Sequence, residues 1–138
     1  MDLISVALGR TTTPPLPSMP SLKTVESFVK LVEDGKTVEA MVRYYAEHAS
    51  MQENDTTPRI GKTALIKYEE DALASILSMR ATCVRPVFLS GDLVVIRWVF
   101  DIQDKKGKTV RFEELAYQRW EGELIVEEKF FYDPAQFR

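Results

Sequence analysis

Apolar residues recur first at helical spacing and later at strand spacing along this chain. Leu22, Val25, Phe28, Val29 and Val32 fall on one stripe and predict an amphipathic helix over 22–33, which "EDGK" breaks at Gly35. Thr37 is placed to cap a second helix, reaching about Ala46 and burying Val38, Met41, Val42 and Tyr45. "HASMQEN" then reads as short and extended, and "DTTPRIG" as loop. A third helix is predicted over 62–79, with Leu65, Tyr68, Ala72 and Ile76 as its stripe. After Arg80 the period changes to two. "ATCVRPVFLS" is a strand in which Pro86, lacking an N–H, favours an edge or a bulge. Turns at Gly91–Asp92, within "DKKGK" and at Glu121–Gly122 lead on to "LVVIRWVFDIQ", "TVRFEELAYQRW" and "ELIVEEKFFYD". Three helices followed by a meander of hairpins predict the α+β class, with the helices gathered on one face of an antiparallel sheet.

A chain of 138 residues is long enough for one real core and short for two. The proline-rich "TTTPPLPSMPS" makes residues 1–21 an extended arm, placed to pack on a partner subunit, and leaves 22–138 as a single domain. A net charge of −3 supplies no basic footprint for nucleic acid. No apolar run approaches the roughly 20 residues that span a bilayer. Asp2 and the short apolar stretch after it do not make a signal peptide, so the cytoplasm is the expected location. Cys83 and His48 are each single, which gives neither an internal disulfide nor a soft-ligand metal site. No metal is therefore expected.

The last hairpin allows a geometric reading. If Glu121–Gly122 is a two-residue loop, Trp120 faces Glu123, and the pairing runs back from there. Glu114 then faces Lys129, Ala116 faces Glu127, Gln118 faces Ile125, and Phe112 faces Phe131. One surface holds Glu114, Glu127 and Lys129 inside a ring of Phe112, Trp120, Ile125 and Phe131. The other sets Arg111, Glu113, Leu115, Tyr117 and Arg119 against Leu124, Val126, Glu128, Phe130 and Tyr132. There Glu113 and Glu128 read as surface ion pairs with the arginines, each contributing about 0–1 kcal/mol. On the preceding strand, Val94, Ile96, Trp98, Phe100 and Ile102 form an apolar side that must be buried. Which hairpin surface continues it depends on the register across "DKKGK", and periodicity leaves that open.

Three phrases carry a family likeness: "VESFVKLVEDGKTVEAMVRYYAEHASMQEN", "GKTALIKYEED" and "EELAYQRWEGELIVEEKFFYDP". Over about Lys23 to Pro134 the chain resembles the SnoaL-like branch of the nuclear transport factor 2-like (NTF2-like) superfamily, which includes polyketide cyclases and ketosteroid isomerases. The resemblance implies a cone-shaped, cystatin-like barrel: three helices on a curved antiparallel sheet around one deep pocket, often as a homodimer. By the same likeness Trp98, Phe100, Gln118, Glu127 and Phe131 match pocket-lining positions, which turns Glu114, Glu127 and Lys129 inward. Phe28, Tyr45, Tyr68 and Phe112 join them as substrate-binding candidates. Glu53, in "SMQEN", matches the isomerase general base with one methylene more than that family's aspartate. Both oxyanion donors are missing, because Phe28 and Ala116 stand where the isomerases carry a tyrosine and a protonated aspartate. At roughly 2.7–4 kcal/mol of transition-state stabilisation per donor, their loss argues against steroid isomerisation by that route.

The likeness thus implies a small-molecule enzyme that holds an apolar, carbonyl-bearing compound. Glu53 would move protons, aided by Glu114, Glu127 and Lys129, with no cofactor needed. The other reading is a non-catalytic binding or dimerisation module with the same pocket. Leu115, Tyr117, Val126, Phe130 and Tyr132 make the outer sheet face too apolar for open water, which predicts a homodimer through it under either reading.

Overall fold

The computed structural model describes residues 19–138, so all but the end of the expected arm lies outside the described residues. Helix α1 (Leu22–Glu33) forms over the expected span. Ser21 Oγ accepts the Thr24 N–H at 3.0 Å, and Val25, Phe28, Val29 and Val32 supply the buried stripe. Helix α2 (Thr37–Tyr44) stops earlier than its pattern suggests. Tyr45 is already extended and begins β1 (Tyr45–Glu53), so its ring is buried from a strand. Ala40 and Met41 are the buried residues of this short helix, and Val42, expected inside, faces solvent.

After β2 (Arg59–Ile60) comes α3 (Lys62–Ala74), which ends well short of residue 79. Ser75 closes it, its hydroxyl donating to the Ala72 carbonyl at 2.6 Å. Ile76, read as the last member of a helical stripe, instead opens β3 (Ile76–Ser90). Within α3 only Leu65 is fully buried, and Tyr68 leans into the space between helix and sheet.

Strands β3, β4 (Leu93–Asp104), β5 (Thr109–Glu121) and β6 (Leu124–Phe131) form the expected antiparallel meander. The sheet order is β2-β1-β6-β5-β4-β3. Because β1 pairs with β6 in parallel, the sheet is mixed and not antiparallel throughout. The intervening α3 and meander are the long crossover that a parallel neighbour requires. β3 is an edge, and its ladder slips between Val84 and Phe88, around Pro86. The sheet curls around the three helices without closing.

Two registers decide which side chains face the helices. Across β4–β5, Trp98 pairs with Glu114, Phe100 with Phe112, Ile96 with Ala116 and Val94 with Gln118. The apolar side of β4 therefore continues onto the Glu114 surface. Across β5–β6, Glu121 pairs with Leu124, so the tight loop is Gly122–Glu123, with Gly122 at φ +59°. Trp120 then pairs with Ile125 but Arg119 with Glu127, which leaves Val126 as the extra residue of a β-bulge. The displaced loop alone would keep the expected faces, since it moves the pairing by an even number. Val126 makes the total odd and exchanges the two faces of β6. Glu128 and Phe130 consequently point inward, opposite Gln118 and Ala116, while Glu127, Lys129 and Phe131 point outward.

Candidate functional site

Between the helices and the inner face of the sheet lies a cavity of about 230 Å³. One wall is aromatic and continuous. Trp98 and Phe100 stand 5.9 Å apart, Phe100 stacks on Phe112 at 5.0 Å, and Phe137 packs on Phe112 at 4.7 Å. Phe137 arrives on a short 3₁₀ turn, Pro134–Phe137, that caps one end. The turn is tied down by Gln136, whose side chain accepts from the Glu113 N–H at 2.8 Å and donates to the Glu113 carbonyl at 3.0 Å. Phe28, Met41 and Tyr68 close the helical side, with Tyr45 lining the cavity from β1.

Four carboxyl groups enter this apolar space: Glu53 from β1, Glu69 from α3, Glu114 from β5 and Glu128 from β6. Mainly apolar walls with a few convergent polar groups are the usual form of a small-molecule site. Glu128 is 3% exposed. The Tyr45 hydroxyl donates to its Oε1, and Gln118 Nε2 donates to its Oε2 at 2.6 Å. Gln118 Oε1 in turn accepts the Trp120 indole N–H at 2.9 Å. Burial pushes the Glu128 carboxyl up to about 7, while the bonds from Gln118 and Tyr45 pull the other way. Burial, and then the neighbouring Glu128, hold the Tyr45 hydroxyl well above its ordinary range, so it remains a donor.

Glu114 is different in kind. Burial first, and then the charges of Glu128, Glu53 and Glu69, raise its carboxyl to about 8, with no hydrogen bond offsetting them. Burial also raises Glu69, against the pull of Arg59. Glu53 is ion-paired with Arg59, whose guanidinium carbon lies over the Tyr68 ring, 3.5 Å from its centroid. Thr37 Oγ1, on the same cavity wall, is buried with no hydrogen-bond partner among the described residues. Among the described residues, no group of three or more His, Cys, Asp or Glu side chains is arranged to hold a metal ion, and no helix is long and apolar enough to cross a membrane.

Most of the residues singled out in the sequence meet here. Phe28, Tyr45, Glu53, Tyr68, Trp98, Phe100, Phe112 and Glu114 all line the cavity. Gln118 lies one layer back, fully buried behind Glu128. Three placements are corrected. Glu127 projects outward and pairs with Arg119 at 3.1 Å. Lys129 does likewise, 3.5 Å from Asp55, and Phe131 is 44% exposed beside it. The Val126 bulge is the cause in each case. It also moves Phe130 and Tyr132 off the outer face to line the cavity, and it buries Val126. Glu128, read from the sequence as a surface ion-pair partner, is the carboxyl that takes the inward place. The adjacent pair Glu127–Glu128 was the available signal, since alternation forces one of them inside. Glu69 and Phe137 carried no pattern that would have singled them out.

The outer face keeps an apolar strip made of Phe88, Leu115, Tyr117 and Phe131, each more than two-fifths exposed. Salt bridges flank it: Arg97 with Glu113, Arg119 with Glu127, and Arg111 with Asp101 at 2.7 Å.

The fold has well-determined counterparts. A protein from Mesorhizobium loti designated a SnoaL-like polyketide cyclase superposes with a TM-score of 0.68 at 22% identity, over 80% of this chain and 97% of that one. An NTF2-like protein of unknown function from Burkholderia pseudomallei gives 0.73 at 15% identity, over 84% and 92%. A Catenulispora acidiphila protein with a ketosteroid isomerase-like fold, in complex with trimethylamine, gives 0.71 at 16% identity, over 84% and 89%. At these identities the likeness concerns the fold. No curated protein sequence matches the chain. The SnoaL-like domain signature, however, matches residues 25–128, and the chain belongs to that family.

Proposed function

We propose that this protein binds a small, largely apolar, carbonyl-bearing compound in the cavity and moves a proton next to the carbonyl. One observation carries the reading: two carboxyl groups open on the same cavity, Glu128 buried and held by two hydrogen-bond donors, Glu114 half-buried and, among the described residues, without such a donor. Glu114, at about 8, is mostly a neutral acid at pH 7 and can donate a hydrogen bond or a proton to the carbonyl oxygen. Glu128, at about 7 and held by two donors, is available as a carboxylate and acts as the base. Removing a proton from the adjacent carbon by Glu128, with protonation of the oxygen by Glu114, gives an enol. Where a C=C bond adjoins that carbon, Glu128 returns its proton at the far end of the dienol while the enol O–H proton goes back to Glu114, giving an isomer. Where the enol attacks an internal carbonyl, the O–H proton goes back to Glu114 and Glu128 protonates the new alkoxide, giving a ring. Glu53, engaged by Arg59, is the second candidate for the base. The apolar wall from Trp98 to Phe112 lines the cavity beside Glu114, and the chemistry calls for no cofactor.

Phe28 and Ala116 favour a second reading, binding without turnover. Both are buried at positions where the related isomerases carry oxyanion donors, and neither can donate from its side chain. The test is α-proton exchange of a panel of small cyclic ketones in deuterated water, followed by NMR, alongside their effect on thermal unfolding. Faster exchange with the native protein than with Glu128→Gln supports proton transfer. Binding of the ketones with exchange no faster than in buffer favours the binding module.

The outer strip of Phe88, Leu115, Tyr117 and Phe131 supports self-association as part of this reading. A flanked apolar strip on an open sheet face suits a two-fold interface with a second copy.

A further inference from the structure

Trp120 does not line the cavity. It lies behind Gln118 with 0% exposure, and its indole N–H can donate but never accept. That restriction removes the usual ambiguity of an amide. Gln118 must turn its oxygen to the indole, at 2.9 Å, and therefore its NH₂ to Glu128 Oε2, at 2.6 Å. Tyr45 donates to the other oxygen of the same carboxyl. A carboxylate accepts both bonds. A carboxyl protonated on Oε2 loses the amide's bond, because the amide nitrogen accepts nothing, and one protonated on Oε1 makes the Tyr45 hydroxyl turn to accept.

We infer that Trp120 and Gln118 are positioning residues for Glu128: the indole, without reaching the cavity, fixes the amide that aims this carboxyl and keeps it able to act as a base. The inference deepens the function proposed above and rests on it for the meaning of Glu128, though not for the relay itself. The groups that share the cavity with Glu128 are Tyr45 and Glu53 from β1, Tyr68 and Glu69 from α3, Glu114 from β5 and Tyr132 just past β6. Glu69 and Glu53 raise its proton affinity by charge, as its own burial does. Gln118 and Tyr45 oppose them. If the indole lets go, the amide can turn and offer its oxygen to Glu128, a partner that favours the protonated acid.

A purely structural Trp120 would affect stability and leave that titration alone. The two roles separate in the full chain labelled with ¹³C at the glutamate carboxyls, titrated by NMR without ligand. The Glu128 signal is assigned by its loss in Glu128→Gln. In Trp120→Phe its midpoint should rise by about one pH unit, a tenfold gain in proton affinity. In Gln118→Met, which removes the donor itself, the rise should be at least as large. Ile125→Val, a packing change at the residue paired with Trp120, should leave it in place. An unmoved midpoint in a folded Trp120→Phe overturns the proposal, and so does an equal shift in Ile125→Val. Should Trp120→Phe fail to fold, Gln118→Met decides alone, with an unmoved midpoint counting against the relay. Because no ligand is present, a shift in a protein that turns over no ketone would sink the proposed function and keep this inference. An unmoved midpoint in an active protein would do the reverse.

Discussion

Glu114 stands directly across the β4–β5 ladder from Trp98, a carboxyl facing the same enclosed space as an indole. That proximity has a consequence for stability. The folded carboxyl binds its proton up to about pH 8, whereas an unfolded glutamate releases it near the ordinary value of 4.5. Between those values the folded state carries more protons than the unfolded one, so stability is greatest below about pH 4.5 as far as this group is concerned, and falls as pH rises to 8. Glu128, at about 7, acts in the same direction. Denaturant unfolding at acid, neutral and mildly alkaline pH should show this decline, and Glu114→Gln should flatten it. At alkaline pH the variant should be more stable than the native chain by on the order of 1–3 kcal/mol. Native stability that climbs from pH 5 to pH 8 would contradict the burial of Glu114.

The exchange of faces on β6 makes a sharp contrast between neighbours. Glu127→Gln breaks an exposed pair with Arg119 and should change stability by no more than about 1 kcal/mol, leaving ketone binding and its pH dependence intact. Glu128→Gln should abolish proton exchange, because an amide in that place cannot serve as a base. Measuring both variants in the same assay checks the bulge itself. A loss of activity in Glu127→Gln with none in Glu128→Gln would return the hairpin to strict alternation.

The outer strip yields a prediction about assembly. Tyr117→Glu or Leu115→Glu sets a charge at the centre of the apolar surface and should produce a monomer by sedimentation, with the fold preserved by circular dichroism. A native chain that sediments as a monomer at micromolar concentration would remove the self-association reading.

Gln136 joins the capping turn to β5 through both backbone groups of Glu113. Gln136→Ala should therefore speed hydrogen exchange at the Glu113 amide while lowering global stability by only about 1 kcal/mol, since each bond adds little net free energy. Unchanged protection at Glu113 would show that Phe137, packed on Phe112, holds the turn unaided.

Where local chemistry and packing agree, the sequence could be read directly. Helix α1 shows this with its Val25–Val32 stripe, and so does the apolar side of β4, whereas Thr37, read as a cap, is the first residue inside α2 and its side chain caps nothing. Pro86 pointed to an edge or a bulge, and it lies in an edge strand whose ladder slips around it. Glu114 on the side of Phe112 and Trp120 followed from alternation alone. The boundaries of α2 and α3 were less legible, because Tyr45 and Ile76 suit a buried helical face as well as a strand. The parallel pairing of β1 with β6 depends on contacts far apart in the chain, to which periodicity is blind. Val126 was the costliest omission. Valine fits a regular strand and a bulge equally well, and only the packing of Trp120 against Ile125 and of Gln118 against Glu128 selects the second.

A single supernumerary residue at Val126 thus chooses which of two adjacent glutamates is sealed in and which is left to the solvent. Relatives that gained or lost one residue in this turn could trade an acid for a lysine in the chamber while conserving every helix. Alignments that slide across the hairpin without a gap would then assign the reactive group to its neighbour. In this fold, counting residues around the last turn is a better guide to chemistry than matching letters along it.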